Sequence, residues 1–200
     1  MNTSHPTRDL LVDTVLELLK NEHLSEVTSE EVLAKSGISK GSLYHHFADF
    51  DDLLEVAEVK RFSLLVDATV SKLAEMLSAT SKEDFIAALE GFNQSTYGEG
   101  YKKTRLIRLK AVTHAGLTDR MKSRLQTEQD RLTMSIADMC QEAQFRGWTS
   151  KKFAPKTISV FLQAYTLGLI VNDYTDSPVE ENDWLSLLST ILKDVILAQD

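Results

Sequence analysis

Apolar residues recur along this chain at helical spacing, and no stretch shows the strict alternation of a half-buried strand. Leu11, Val15, Leu18 and Leu19 follow i, i+4, i+7 and i+8. They predict a first helix from a Thr7 cap to about Glu22, after an arm of residues 1–6 and with His23 at its end. Thr28 and Glu31 then form a T-x-x-E capping box, in which side chain and backbone satisfy each other reciprocally. Val32 and Leu33 give that short helix its apolar face, and Gly37 stops it. Ile38 fills the turn, and Ser39 caps a further helix over Lys40 to Phe47, with Leu43 and Phe47 inward. A fourth helix follows from about Asp49 to Ser78, uninterrupted by glycine or proline and on the order of 40 Å long.

Beyond it, Ser81 caps a helix to about Thr96 carrying Phe85, Ile86, Leu89 and Phe92. The sequence YGEGY reads as a flexible turn, before a sixth helix from about Lys102 to His114 that Gly116 ends. Thr118 opens a seventh helix to about Arg146, striped by Met121, Leu125, Leu132, Ile136, Met139 and Ala143. Gly147 stops it and Trp148 plugs the end. Pro155 suits the first turn of an eighth helix that is apolar nearly all round, with Gly168 allowing another backbone close. The ninth, from about Trp184 to Ile196, has a stripe too wide for one contact. A partner chain covers such faces most simply, so the eighth and ninth helices of two subunits are expected to form a four-helix homodimer interface.

Composition agrees with an all-α globular chain. It has 42% hydrophobic and 26% charged residues, three prolines and eight glycines in 200 residues. No apolar run reaches the ~20 residues of a membrane span, and the N-terminus lacks a signal-peptide pattern. A single cysteine, Cys140, rules out an internal disulfide and lies beside the seventh helix's stripe, where a buried thiol is inert. The protein is expected to be cytoplasmic.

Charge complicates the function. The net is −8, and residues 1–60 hold five basic residues against twelve acidic ones, a net of −7. Yet from Ala34 to Ala48 there are Lys35, Lys40, His45 and His46 and no acid. The outer face of the third helix offers Lys40, Ser42, Tyr44, His45 and His46 as donors over a small apolar face, the build of a recognition helix in a helix-turn-helix. Lys40 stands in the first helical turn, where a cation opposes the macrodipole and a phosphate relieves the conflict. A solvated surface lysine is the plainer reading. The acids Asp49, Asp51 and Asp52 serve as caps of the fourth helix. The basic stretch from Lys102 to Arg124 reads as a solvated face; the sharper alternative is a patch meeting an acidic ligand or the acidic head.

The run SGISKGSLYHHFADFDDLL resembles the signature of the TetR family of transcriptional regulators, with Gly37, Ser39, Gly41, Leu43, Tyr44, His46, Phe47 and Leu53 at matching positions. The resemblance is specific over roughly Thr28 to Leu54 and architectural beyond. It departs at Phe50, where family members often carry a phosphate-contacting lysine, and at Ser29, which is commonly apolar. It implies an N-terminal three-helix helix-turn-helix domain, residues 1–50, linked by the fourth helix to a helical ligand-binding and dimerisation domain, residues 51–200. It implies DNA contact through Thr28, Ser39, Lys40, Gly41, Ser42, Tyr44, His45 and His46, with Arg8 near the backbone. It also implies a small-molecule inducer of unknown identity in the second domain. Candidates to line that site are Phe62, Met76, Phe92, Tyr97, His114, Met139, Phe161 and Tyr165, each of which also fits as plain core.

No catalytic, metal or cofactor motif is present: there is no H-E-x-x-H, G-x-S-x-G, C-x-x-C or P-loop. The expectation is a dimeric, ligand-responsive repressor of a double-stranded DNA operator, not an enzyme and without cofactor, metal or membrane. The alternative is a helical ligand-binding or protein-interaction dimer whose acidic head does not bind DNA.

Overall fold

The computed structural model describes residues 5–20 and 24–197, and all regular structure among them is helical. The order is α1 (Pro6–Leu18), α2 (Ser29–Ser36), α3 (Lys40–His46), α4 (Phe50–Leu77), α5 (Lys82–Tyr97), α6 (Glu99–Ala115), α7 (Asp119–Phe145), α8 (Pro155–Gly168), α9 (Ile170–Asp173) and α10 (Glu181–Ile191), then one π turn, Leu192–Ile196.

The sequence signals for helix starts hold. Ser39, Asp49, Ser81 and Thr118 each accept a hydrogen bond from the backbone N–H three residues on. Thr28 and Glu31 complete the reciprocal capping box. Gly37 and Gly147 adopt φ of 70° and 73°, the left-handed region that ends a helix at low cost only for glycine. Several boundaries differ, and α1 ends at Leu18 where the sequence pattern extends it to about Glu22. Helix α1 begins at Pro6 with His5 as its cap, because a proline at the first helical position gives up a donor that has no partner there anyway. Thr7 is therefore inside the helix, and most of the expected N-terminal arm, like His23, lies outside the described residues. Helix α6 starts at Glu99, so only Gly98 separates it from α5 and most of YGEGY is helical. The eighth predicted helix divides into α8 and the short α9, and the ninth is α10 with its π turn.

Two apolar cores form. The head core gathers Leu11, Val15, Val32, Leu43 and Phe47 with Leu53 and Ala57 of α4, and Ile38 and Phe50 pack against it. A seven-residue helix such as α3 is too short to persist alone. Burying Leu43 and Phe47, worth about 1.5–3 kcal/mol each, holds it in place. The body core begins at Phe62, so α4 contributes to both cores along one continuous rod. Cys140 is buried in the body core, and burial pushes its thiol up to about 12.

Two expectations about surfaces change. The basic helix α6 is solvated only in part: Lys103 is exposed, whereas Arg105 and Arg108 are buried. Helix α8 buries only Ile158, Ser159 and Thr166, and leaves Val160 and Phe161 exposed, as are Val171 of α9 and Leu187 of α10. A Cβ on Gly168 would meet nothing within 4 Å, so no backbone of the same chain approaches it.

Candidate nucleic-acid interface and its link to the body

Helices α2 and α3 present one open face. Lys40, Gly41, Tyr44 and His45 are exposed, and Ser42 and His46 are half-buried. Tyr44 keeps 47% of its surface accessible, unusual for an aromatic beside a core. Gly41 has ordinary helical geometry and open space where a Cβ would go, so nothing within the chain requires glycine there. A mid-helix glycine costs about 1 kcal/mol relative to alanine. The first turn of α3 contains no acid. The start of α2 is different: the Thr28 N–H donates to Glu31 Oε2 at 3.0 Å and its hydroxyl to the same oxygen at 2.8 Å. These bonds hold the Glu31 carboxyl below the usual range, so a carboxylate already occupies that helix start.

The histidines form a small cluster. The His46 ring lies 4.2 Å from that of His5 and 5.1 Å from that of His45, in tilted and edge-on arrangements. Desolvation first, and then the neighbouring His5, His45 and Arg8, hold His46 below the ordinary imidazole range. Arg8 itself lies over the Phe47 ring at 5.1 Å, next to the end of α3. Phe50, in the position where a lysine is common, turns inward against the head core.

Behind the open face, four acids around the start of α4 are engaged by the body. Arg120 of α7 reaches Glu55 at 2.8 Å and Asp49 at 3.1 Å. Arg124 pairs with Glu55 at 2.8 Å and also with Asp52. Glu58 Oε2 lies 2.6 Å from His114 Nδ1 of α6. The Glu55 side chain is 2% exposed and bound by both arginines. The capping role of Asp49 and Asp52 is real, but these acids also lock α4 to α7. Four of the twelve acids in residues 1–60 thus sit where the body answers them.

In the body, a cavity of about 40 Å³ is lined from five helices, α4 to α8. Of the candidate ligand residues, Met76, Phe92, Met139 and Tyr165 line it. Phe62 is fully buried core, and Tyr97 bonds the Val179 carbonyl near α10. His114 lies in a cleft between head and body, and Phe161 flanks an outer groove between α8 and the end of the chain. The cavity also recruits Tyr101, Arg108 and Gln163, which sequence reasoning passed over. The signal was present: Tyr101, Arg105, Arg108 and Ala115 fall at i, i+4, i+7 and i+14, one inward stripe of α6.

The head geometry agrees with what the head resembles in sequence. Residues 11–57 match the family model described as bacterial regulatory proteins, tetR family. Its head therefore resembles the DNA-binding domain that this model describes. The HTH-type transcriptional regulator BetI of Cronobacter sakazakii (strain ATCC BAA-894) is 26% identical over 84 residues, 42% of either chain. The match thus spans less than half the length of that curated relative. Whole-chain likeness is one of fold. A protein described as a TetR-family transcriptional regulator from Mesorhizobium loti MAFF303099 superposes with a TM-score of 0.71, at 14% identity, over 99% of this chain and 100% of its own. A regulator from Saccharomonospora viridis, solved in complex with choline, gives 0.69 at 17% identity, over 96% and 98%. The fold of these two proteins therefore extends over head and body alike. No helix among the described residues is long and apolar enough to cross a membrane.

Proposed function

We propose that this protein is a ligand-responsive, DNA-binding transcriptional regulator of the TetR type, a repressor that acts as a homodimer in the cytoplasm and has no catalytic role. The observation that carries the reading is the open face of α3. Lys40, Ser42, Tyr44, His45 and His46 surround an unneeded glycine at Gly41, while Asp49, Asp52, Glu55 and Glu58 are turned toward the body. Backbone N–H groups at the start of α3, beside Ser39, receive a phosphate, and the side chains of α3 enter the major groove. Thr28 contributes by fixing α2 through its capping box. Few cations take part, so the salt dependence of binding is shallow.

Residues 1–50 read DNA, and residues 51–200 sense and dimerise. The exposed apolar Val160, Phe161, Leu187 and Val195 on α8 and the C-terminal segment support a two-fold interface there. Met76, Phe92, Met139 and Tyr165 line the inducer site. Its present volume is far below the roughly 300 Å³ of a ligand pocket, so a ligand must displace its walls. Those walls include Leu73 and Met76 of α4 and Leu132 and Met139 of α7, the two helices joined at their other ends by the Arg120 and Arg124 ion pairs. Opening the cavity thus shifts α4 and, with it, the head; a ligand that prefers the open state releases the operator.

The test is binding of the purified protein to DNA from its own upstream region at moderate salt. A specific site lost on Lys40→Ala and Tyr44→Ala supports the regulator. Absence of any specific site leaves a ligand-binding dimer without DNA binding.

A further inference from the structure

The body cavity contains a cation for which the described residues provide no carboxylate partner. Arg108 lines the cavity and is 8% exposed. Among the described residues no aspartate or glutamate forms an ion pair with it. Burial holds its guanidinium below the ordinary arginine range, and the partner that counters this is the hydroxyl of Tyr101, two turns away on the same helix. The neighbouring Arg105 shows what a satisfied arginine looks like here. Its Nε donates to Asp173 Oδ2 at 2.6 Å, its Nη2 to the other carboxylate oxygen and its Nη1 to the Thr96 carbonyl. One fold, on one helix, supplies a bidentate carboxylate to Arg105 and none to Arg108.

The remaining lining is either apolar or already bonded. Tyr165 donates to Asn93 Oδ1 at 2.6 Å. Gln163 accepts from Gln129 at 2.9 Å, and Thr69 and Thr166 donate to carbonyls of their own helices. Leu73, Met76, Leu132 and Met139 form the apolar wall. An unpaired buried guanidinium is costly, and its five donors match a carboxylate bidentately.

We propose that this cavity takes a small organic carboxylate, with its acid group on Arg108 and the Tyr101 O–H and its apolar part against Leu73, Met76, Leu132 and Met139. The proposal rests on reading the body as a ligand sensor. A cationic ligand would meet Arg108 with like charge, and a neutral one would leave it unpaired.

The experiment uses the full-length protein and its operator DNA, with release followed by fluorescence anisotropy and binding by thermal shift. The probes are hexanoate and phenylacetate beside the matched alcohols, hexanol and phenylethanol, and the matched amines, hexylamine and phenethylamine. We expect a carboxylate to raise Tm and release DNA, with its alcohol and amine weaker by about tenfold or more in Kd. Arg108→Met should erase that preference without lowering the Tm of the unliganded protein, and Arg108→Lys should retain part of it. An alcohol or amine that matches its acid, an Arg108→Met variant that keeps the preference, or no binding of either acid overturns the proposal. If Arg108→Met fails to fold, Arg108→Lys decides: undiminished carboxylate affinity overturns the bidentate site. Release of DNA by a neutral or cationic probe removes the carboxylate while leaving the sensor reading intact. Protein that binds its operator but responds to none of the probes, and to no cell extract fractionated by charge, removes the sensor reading itself.

Discussion

The junction of α4 with α7 and the cavity of the body treat charge in opposite ways. At the junction, Asp49, Asp52 and Glu55 meet Arg120 and Arg124, and each charge has a partner of the other sign. In the cavity, Arg108 has a phenol. A paired buried charge is structural, because removing either member strands the other. An unpaired buried cation is a standing cost to the fold, and its use lies in what it can bind. The open face of α3 is a milder case of the second kind, with Lys40 and Tyr44 exposed at its surface.

This contrast can be broken by substitution. The largest effect belongs to Arg105→Met, which leaves Asp173, 4% exposed, as a buried carboxylate without its cation. A loss of about 3–5 kcal/mol in urea unfolding is expected. Glu55→Ala should follow at about 2–3 kcal/mol, since two arginines lose a charged, buried hydrogen-bond partner. It should also loosen α4 from α7 and so weaken the response of DNA binding to ligand. Thr28→Ala removes the cap of α2 at about 1 kcal/mol, measurable by the same unfolding curves. Arg108→Met sharpens the comparison from the other side: its effect on stability should be near zero or slightly favourable, and a loss like that of Arg105→Met would make the two arginines equivalent.

The smallest effects concern pH. Arg120 and the α4 backbone hold the Asp49 carboxyl below its ordinary value of 3.8. A carboxyl lowered on folding stabilises above its unfolded pKa, so this contribution is present at neutral pH and fades only as pH falls below about 4. His46 is lowered from 6.5 and is therefore neutral near pH 7 in free protein. A DNA phosphate would raise it, so binding takes up a proton and tightens as pH falls toward about 6. A flat affinity between about pH 6 and 8 would remove His46 from the interface.

Much of the fold was legible along the chain because its signals are local. Capping boxes, helix-ending glycines and 3.6-residue stripes act within a few residues, and Thr28, Gly37, Ser39, Asp49, Ser81 and Thr118 behave as their positions predict. The placement of α3 and the exposure of Lys40, Tyr44 and His45 were legible for the same reason. The cavity was not. Its lining comes from five helices, and whether Met76 or Phe62 faces it depends on how α4 rolls against α7, which no local spacing encodes. The arginines of α6 were misassigned to solvent because charge was taken as a sign of exposure.

The sequence by itself determined a run of helices, a capped helix-turn-helix and an acidic head with one face free of acids. The tertiary structure alone decided where that acidity goes and which cation is left over. Asp49 and Arg120 are far apart along the chain and meet at 3.1 Å only once α7 lies against α4. Pairing of charges is a property of distance in space, so only packing could show that Arg105 has its carboxylate and that Arg108 has none among the described residues.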